Sequence, residues 1–363
     1  MISDDNSILA AVLEDGQWGF IRRDGSHAFT DRWPQVRTFS SGLAAVNVGG
    51  TRQPGISGAV GGGYRYIDAA GRVVIPGPFR NPGVFWNGFL VTDVGDGTAM
   101  DVGVVERAGE ILTRGFADLR GFVGAPISYA ISGDKSRAGF IKPNGSWLFE
   151  LPVDAQVGAV QDGMIPVATD GQRWGFIDTA GKTVIEPRFE RAGSFFDGRA
   201  AVRIDEKWGF IDKAGTLVVA AQWDNVSDFS EGRCAVQRGE RWGFIDTAGQ
   251  VIIEPAYPAV RDFHGGLAAV MDKSPAKGDP KDNVKKDDNS GTGRVGYLDP
   301  SGAWAIAPRF AAAYDFSHGR AAFVDGNALG FIDKSGKVVI QPRFTRVHRF
   351  VDVSRSNGEQ RSE

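Results

Sequence analysis

The side chains able to do chemistry are few and poorly grouped. There are four histidines, His27, His264, His318 and His348, and a single cysteine, Cys234. No His-x-x-x-His or Cys-x-x-Cys pair occurs, so the spacing that holds a zinc ion is missing. The histidines read as surface or packing residues. Cys234 fills a slot held elsewhere by Ala200 and Ala268, which marks it as a small core residue rather than a nucleophile. Gly58 to Gly63 (Gly-Ala-Val-Gly-Gly-Gly) could cradle a phosphate only with a helix and a Walker-type lysine after it, and neither follows. A recurring aspartate (Asp68, Asp178, Asp212, Asp246, Asp299, Asp333) could ligate calcium, but each is explained by the turn it opens. No carboxylate pair stands out for glycoside hydrolysis. The expectation is a chain with no catalytic, cofactor-binding or metal-binding residues, and hence not an enzyme.

What the chain does repeat is an architecture. Trp-Gly-Phe occurs at Trp18, Trp174, Trp208 and Trp242. Weaker copies stand at Gly139-Phe140, Gly296-Tyr297 and Gly330-Phe331, Gly103-Val104 keeps the glycine, and Tyr64-Arg65-Tyr66 keeps only aromatics. The nine units are thus anchored at Gly19, Arg65, Gly103, Gly139, Gly175, Gly209, Gly243, Gly296 and Gly330. Six residues after each anchor stands a second glycine, from Gly25 to Gly336. The period is about 34 residues, the signature of a tandem repeat.

Each unit reads as a three-stranded antiparallel meander. A Trp-Gly-Phe-Ile strand leads into an Asp-x-x-Gly hairpin turn, with glycine in the left-handed position. A Val-Ile strand follows and is ended by proline at Pro187, Pro255, Pro308, Pro342 and, shifted by one residue, Pro76. A phenylalanine mark comes next (Phe39, Phe85, Phe195, Phe229, Phe263, Phe316, Phe350), and then a Gly-x-Ala-x-Val strand. The Trp-Gly strand is apolar on both faces, so neighbouring units must cover it. The fold class is therefore all-β, one array over residues 1–350. Three strands per unit and no spare strand favour an open superhelical β-solenoid, with a closed propeller-like ring as the alternative.

Two insertions break the join between an Ala-Val strand and the next Trp-Gly strand: residues 47–63 and the charged stretch 272–294. Both should project from the same rim. The candidate partner-binding residues there are Arg52, Gln53, Tyr64, Lys273, Lys277, Lys281, Lys285, Lys286, Asp287 and Asp288. Units between about 90 and 165 are degenerate, with the phenylalanine mark displaced near Phe122, and 351–363 is a polar tail.

The repeated unit resembles the bacterial WG-repeat (KWG-repeat) family, most closely over Trp174–Val202, Trp208–Val236 and Trp242–Val270. The resemblance implies a β-rich binding repeat without catalytic residues. It names no partner, and the motif residues are structural.

The chain of 363 residues carries a net charge of -3, which argues against nucleic acid as a partner. No apolar run is long enough to span a membrane, and no basic, apolar leader opens the sequence, so a cytoplasmic location is expected. The expectation is a scaffold that binds another protein, in its narrower form an immunity-type protein covering a toxin or effector. The alternative is a glycan or cell-wall binder using Trp86, Trp147 or Trp304.

Overall fold

The Asp-x-x-Gly turns form as their residues dictate. In the computed structural model, which describes residues 7–53, 56, 58–95, 101–122, 124–272 and 293–354, the Gly181 amide donates to the Asp178 carbonyl at 3.0 Å. Asp178 Oδ1 accepts from the amides of Ala180 and Lys182, both at 2.9 Å. The same pattern of amides on one carboxylate oxygen recurs at Asp68, Asp212, Asp246, Asp299 and Asp333. Each recurring aspartate thus holds its own hairpin.

The glycine of Trp-Gly has an equally local cause. Opposite Lys207–Ile211, the strand Leu217–Trp223 bulges: the pairing jumps from Trp208↔Trp223 to Phe210↔Val219. The bulged backbone presses on Gly209, where a Cβ would stand 2.5 Å from the Val219 carbonyl oxygen and 2.8 Å from the Ala221 nitrogen. Gly175, Gly243, Gly296 and Gly330 meet the same bulge.

The expectation that proline ends the Val-Ile strand is corrected. Pro187 lies inside Thr183–Phe189, Pro255 inside Val251–Tyr257 and Pro342 inside Val338–Phe344. These strands are the outermost of their sheets. A bulge on an edge strand is where a sheet tolerates a residue without an amide N–H.

A second correction concerns strand number. Six sheets among the described residues have four strands, not three. In one, the order is Arg191–Phe196, Arg199–Ile204, Lys207–Ile211 and Leu217–Trp223. The added strand carries the phenylalanine mark, and Phe195 pairs with Ala200. It turns into the Ala-Val strand through Asp197-Gly198, both at positive φ (50° and 73°), as a two-residue hairpin of right-handed twist requires. Glu231-Gly232 and His318-Gly319 repeat this turn.

The third correction is at the ends. No strand was expected to remain for sharing a sheet, yet Ile8–Glu14 pairs with Gln17–Arg22 on one side and with Arg346–Val347 and Val351–Asp352 on the other. The first unit lacks a phenylalanine strand of its own, and residues after the last Val-Ile strand supply it. Its contacts with the preceding sheet are those found inside the array. The Arg188 guanidinium donates to the Gly215 carbonyl at 2.6 Å, and Arg343 donates to Gly25 at 2.8 Å. A Cβ on Gly215 would touch Ile185, and one on Gly25 would touch Ile340.

The degenerate units keep the plan. Seven strands from Phe85–Trp86 to Trp147–Leu151 merge into one sheet because Ile111–Leu119 pairs with both neighbours. Phe122, fully buried, and Val160 take the phenylalanine slot.

The core lies between sheets. The aromatic two residues after each Trp position meets the phenylalanine mark of the next sheet edge-on: Phe176 with Phe195, Phe210 with Phe229 and Phe244 with Phe263, at 4.8–5.0 Å. Such pairs add about 0.5–1.5 kcal/mol each beyond their burial. The series continues through the ends, with Phe331 on Phe350 at 5.0 Å and Phe20 on Phe39 at 4.9 Å. Ile8, Ala10 and Val12 accordingly share a buried cluster with Phe331, Ile340 and Phe344.

Candidate functional site

Because the phenylalanine strands begin their sheets, residues beside Phe195, Phe229, Phe263, Phe316 and Phe350 face a common space. That space is a cavity of about 920 Å3. Its lining runs from the turn residues Asp197, Glu231 and His318 to Thr345 and Arg346 at the other end of the strands. Three aspartates occupy one position of successive units, each just before its phenylalanine: Asp228, Asp262 and Asp315. The next unit puts Arg349 in that slot. Trp18, Trp86 and Tyr314 add aromatic surface.

Neighbouring units are latched where they meet this space. Asp197 Oδ2 accepts from the Gly232 amide at 3.1 Å, and the Glu231 carboxylate accepts from the amides of Gly265 and Gly266 at 2.7 and 2.8 Å. Ser230 Oγ donates to the Phe263 carbonyl and Ser317 Oγ to that of Phe350, both at 2.7 Å. These bonds fix the rim, and they consume the Asp197 and Glu231 carboxylates.

Other lining groups are left over. Burial raises the Asp315 carboxyl above its ordinary value, although Arg261 (3.7 Å from Oδ2), His264 and Arg349 pull it down. Asp315 Oδ1 is buried without a hydrogen-bond partner, and so is the indole N–H of Trp18, a residue only 5% exposed. His348 packs its ring 4.8 Å from that of Trp18 and shares a 2.7 Å hydrogen bond through Nδ1 with the Thr38 hydroxyl. Burial, then Arg37, lowers its pKa and keeps it neutral.

The residues singled out from the sequence fall elsewhere. Arg52 and Gln53 line a second hollow with Asp15, Gln17, Ile56 and Arg346. Arg52 stands on a two-residue strand, paired with Ala59, and buries Nη1 without a partner. Tyr64 is corrected: it is 6% exposed and donates its hydroxyl to Gln35 Oε1 at 2.6 Å, so it is a strand anchor rather than a loop residue. Its place opposite Phe79, in the slot of Trp174 opposite Phe189, explains this. Lys273, Lys277, Lys281, Lys285, Lys286, Asp287 and Asp288 lie outside the described residues. The strands that flank them pair as far as Asp272↔Arg294.

The aromatic candidates divide. Trp86 lines the central cavity. Trp147 and Trp304 occupy the slot of Val251, which is 39% exposed, and Val338, and both tryptophans are half-buried with one side packed against a core cluster. The Arg137 guanidinium covers Trp147 at 4.5 Å, and Trp304 meets Tyr257 edge-on at 5.9 Å. The central lining escaped the sequence reading because each unit gives it only one or two residues of varying type. The signal that could have found it is the aspartate repeated before Phe229, Phe263 and Phe316.

Among the described residues no group of three or more histidine, cysteine, aspartate or glutamate side chains could hold a metal ion. Cys234 is buried, its thiol pushed up by burial, and it donates to the Ser227 carbonyl at 3.2 Å.

These sheets and their shared lining define an all-β repeat protein of the binding-module type. The family model of the WG containing repeat matches residues 174–208, 208–242, 242–273, 296–327 and 330–352, so these segments of the chain are WG repeats. No curated protein matches the sequence. Among solved structures, a crystal structure of the eukaryotic initiation factor is similar over 94% of this chain and 97% of its own, with a TM-score of 0.62 and 10% identity. BamB from Moraxella catarrhalis is similar over 72% of this chain and 87% of its own, with a TM-score of 0.41 and 13% identity.

Proposed function

We propose that this chain is a non-enzymatic scaffold that binds another protein, and that its nine units close into a propeller-like ring. The ring reading rests on the shared end sheet, on the Arg343–Gly25 contact that copies Arg188–Gly215, and on likeness to a propeller-like structure.

The observation that carries the binding reading is the position of the two insertions. Both interrupt the same hairpin, so they leave the ring on the same face. Closure through Ile8–Glu14 leaves only two units between them, the ninth and the first. Arg52 and Gln53 of the first insertion already stand beside Arg346 of the closing strand. Long loops set side by side on a rigid frame form a contact surface without any cost of ordering the frame itself. The narrower form of the reading, an immunity-type protein covering a toxin or effector in the cytoplasm, uses this same face.

Recovery of partners from the source cell tests the reading. Three forms should be compared: the full chain, a chain with 273–292 replaced by a short Gly-Ser link, and a chain with 50–61 so replaced. One stoichiometric protein lost with both replacements is the expected result. Equal recovery by all three forms, or no protein partner at all, would overturn it.

A further inference from the structure

The turn Lys142-Pro143-Asn144-Gly145 joins Ala138–Ile141 to Trp147–Leu151, at the end of the strands opposite the insertions. It puts asparagine before the turn glycine, where the other units have Asp24, alanine or serine. The Asn144 side chain is exposed, and its Oδ1 accepts twice from Ser146, from the amide at 3.1 Å and from Oγ at 2.8 Å. Gly145 follows at φ 82°, with no side chain to screen the Asn144 amide carbon. The fold demands that glycine, since a Cβ there would collide with the Thr113 side chain. The turn thus holds together the parts of an intramolecular acyl transfer. They are an amide carbon, an unhindered backbone nitrogen beside it, and two donors on the oxygen that becomes charged.

The Asn87-Gly88 pair is built differently. Asn87 is half-buried, and its Nδ2 donates to the Phe122 carbonyl at 2.6 Å. There the protein holds the leaving nitrogen. A third pair, Asn357-Gly358, lies outside the described residues.

We propose that Asn144-Gly145 is a site of spontaneous deamidation. The Gly145 nitrogen gives up its proton to solvent base and attacks Cγ of Asn144. The new C–N bond closes a five-membered imide, and Nδ2 takes up a proton and leaves as ammonia. Water then opens the imide at either carbonyl, giving aspartate or isoaspartate. The Gly145 amide donates to the Lys142 carbonyl at 2.9 Å, so the turn must open before the attack, and the folded chain reacts more slowly than an unfolded one. The bonds from Ser146 are local and survive that opening. The aspartate product fits, because Asp24-Gly25-Ser26 is the same turn, with Asp24 Oδ1 accepting from the Ser26 amide at 2.8 Å. Isoaspartate adds a methylene to the backbone and drives the turn against Thr113. The site lies away from the insertions, so this proposal and the binding reading stand or fall independently.

Ageing of the full chain in mildly alkaline buffer, followed by tryptic peptide mapping, tests the assignment. The peptide carrying Asn144 should gain the mass of an amide-to-acid exchange and split into aspartyl and isoaspartyl forms. The Asn87 peptide should change about ten-fold more slowly. Ser146→Ala, which removes one donor, should slow the reaction at Asn144 by about 2–10-fold, the factor that one ordinary hydrogen bond is worth. In denaturing urea the gap between the two sites should narrow. Thermal melting checks that the variants fold, and Asn144→Asp should melt with the parent. An Asn144 peptide that stays unchanged, or changes no faster than the Asn87 peptide, would overturn the proposal. An undiminished rate in Ser146→Ala, or a gap that persists in urea, would overturn the part given to the turn.

Discussion

Arg343 donates from Nη2 to the carbonyl of Gly25 at 2.8 Å, across 318 positions of the chain. Arg188 makes the same bond to Gly215 over 27 positions. If the ends are joined in solution, the two bonds are equivalent. Arg343→Ala and Arg188→Ala should each lower stability by about 1.5–3 kcal/mol in urea titration, the range for a hydrogen bond involving a charged group. A silent Arg343→Ala beside a costly Arg188→Ala would mean that the ends are apart.

Gly209→Ala should be far worse than its size implies. The added methyl group meets the backbone of Val219 and Ala221, which no rotamer change relieves. A loss of about 2–4 kcal/mol is expected. Gly193→Ala is the control, since its nearest neighbour is 3.7 Å away, and it should stay within about 1 kcal/mol of the parent. Thermal melting of both variants decides the matter.

Acid should weaken the fold through its hairpin turns. Hydrogen bonds from Ser26, Ser301 and Ser335 hold the carboxyls of Asp24, Asp299 and Asp333 below the ordinary value. Folded values below unfolded ones give stability that is complete above roughly pH 4 and lost as pH falls through the folded values. The urea midpoint should thus drop between roughly pH 4 and pH 2, and Asp333→Asn should flatten that drop. Asp315 has the opposite sign. Its carboxyl is raised, so its charge costs stability near neutrality, and Asp315→Asn should raise the melting temperature at pH 7 but not at low pH.

Cys234 should be silent towards thiol reagents in the native chain. Its sulfur is buried and its thiol is pushed up by burial, so almost no thiolate forms. Reaction in dilute buffer should match the rate of unfolding and become immediate in denaturant. Rapid labelling of the folded chain would contradict the packing around Phe229 and Val236.

The repeat register, the Asp-x-x-Gly hairpins and the core slot of Cys234 were all legible because each depends on a fixed residue at a fixed spacing. The phenylalanine strand was not. Only Phe195 or its equivalent marks it, and its turn is set by paired positive φ angles at variable residues such as Asp197, Glu231 and His318. The shared end sheet was hidden for another reason: Leu13 and Arg346 pair across the whole chain, and no local pattern records that. The candidate site suffered most. Reading a repeat favours what is constant, whereas the cavity is built from what varies. Asp228, Asp262 and Asp315 share a slot that Arg349 fills with the opposite sign.

The sheet that contains both Leu13 and Arg346 also orders events during synthesis. Ile8–Glu14 and Gln17–Arg22 leave the ribosome more than three hundred residues before Arg346–Val347 and Val351–Asp352 exist. At about 5–20 residues per second, that is roughly 15–70 s during which the first hairpin exposes an unpaired apolar edge. Later units can stack on one another as they emerge, but the first must wait for the last. The nascent chain therefore carries an uncovered apolar edge on Ile8–Glu14 until the strands around Arg346 emerge, and a ribosome that stalls before them leaves that edge uncovered.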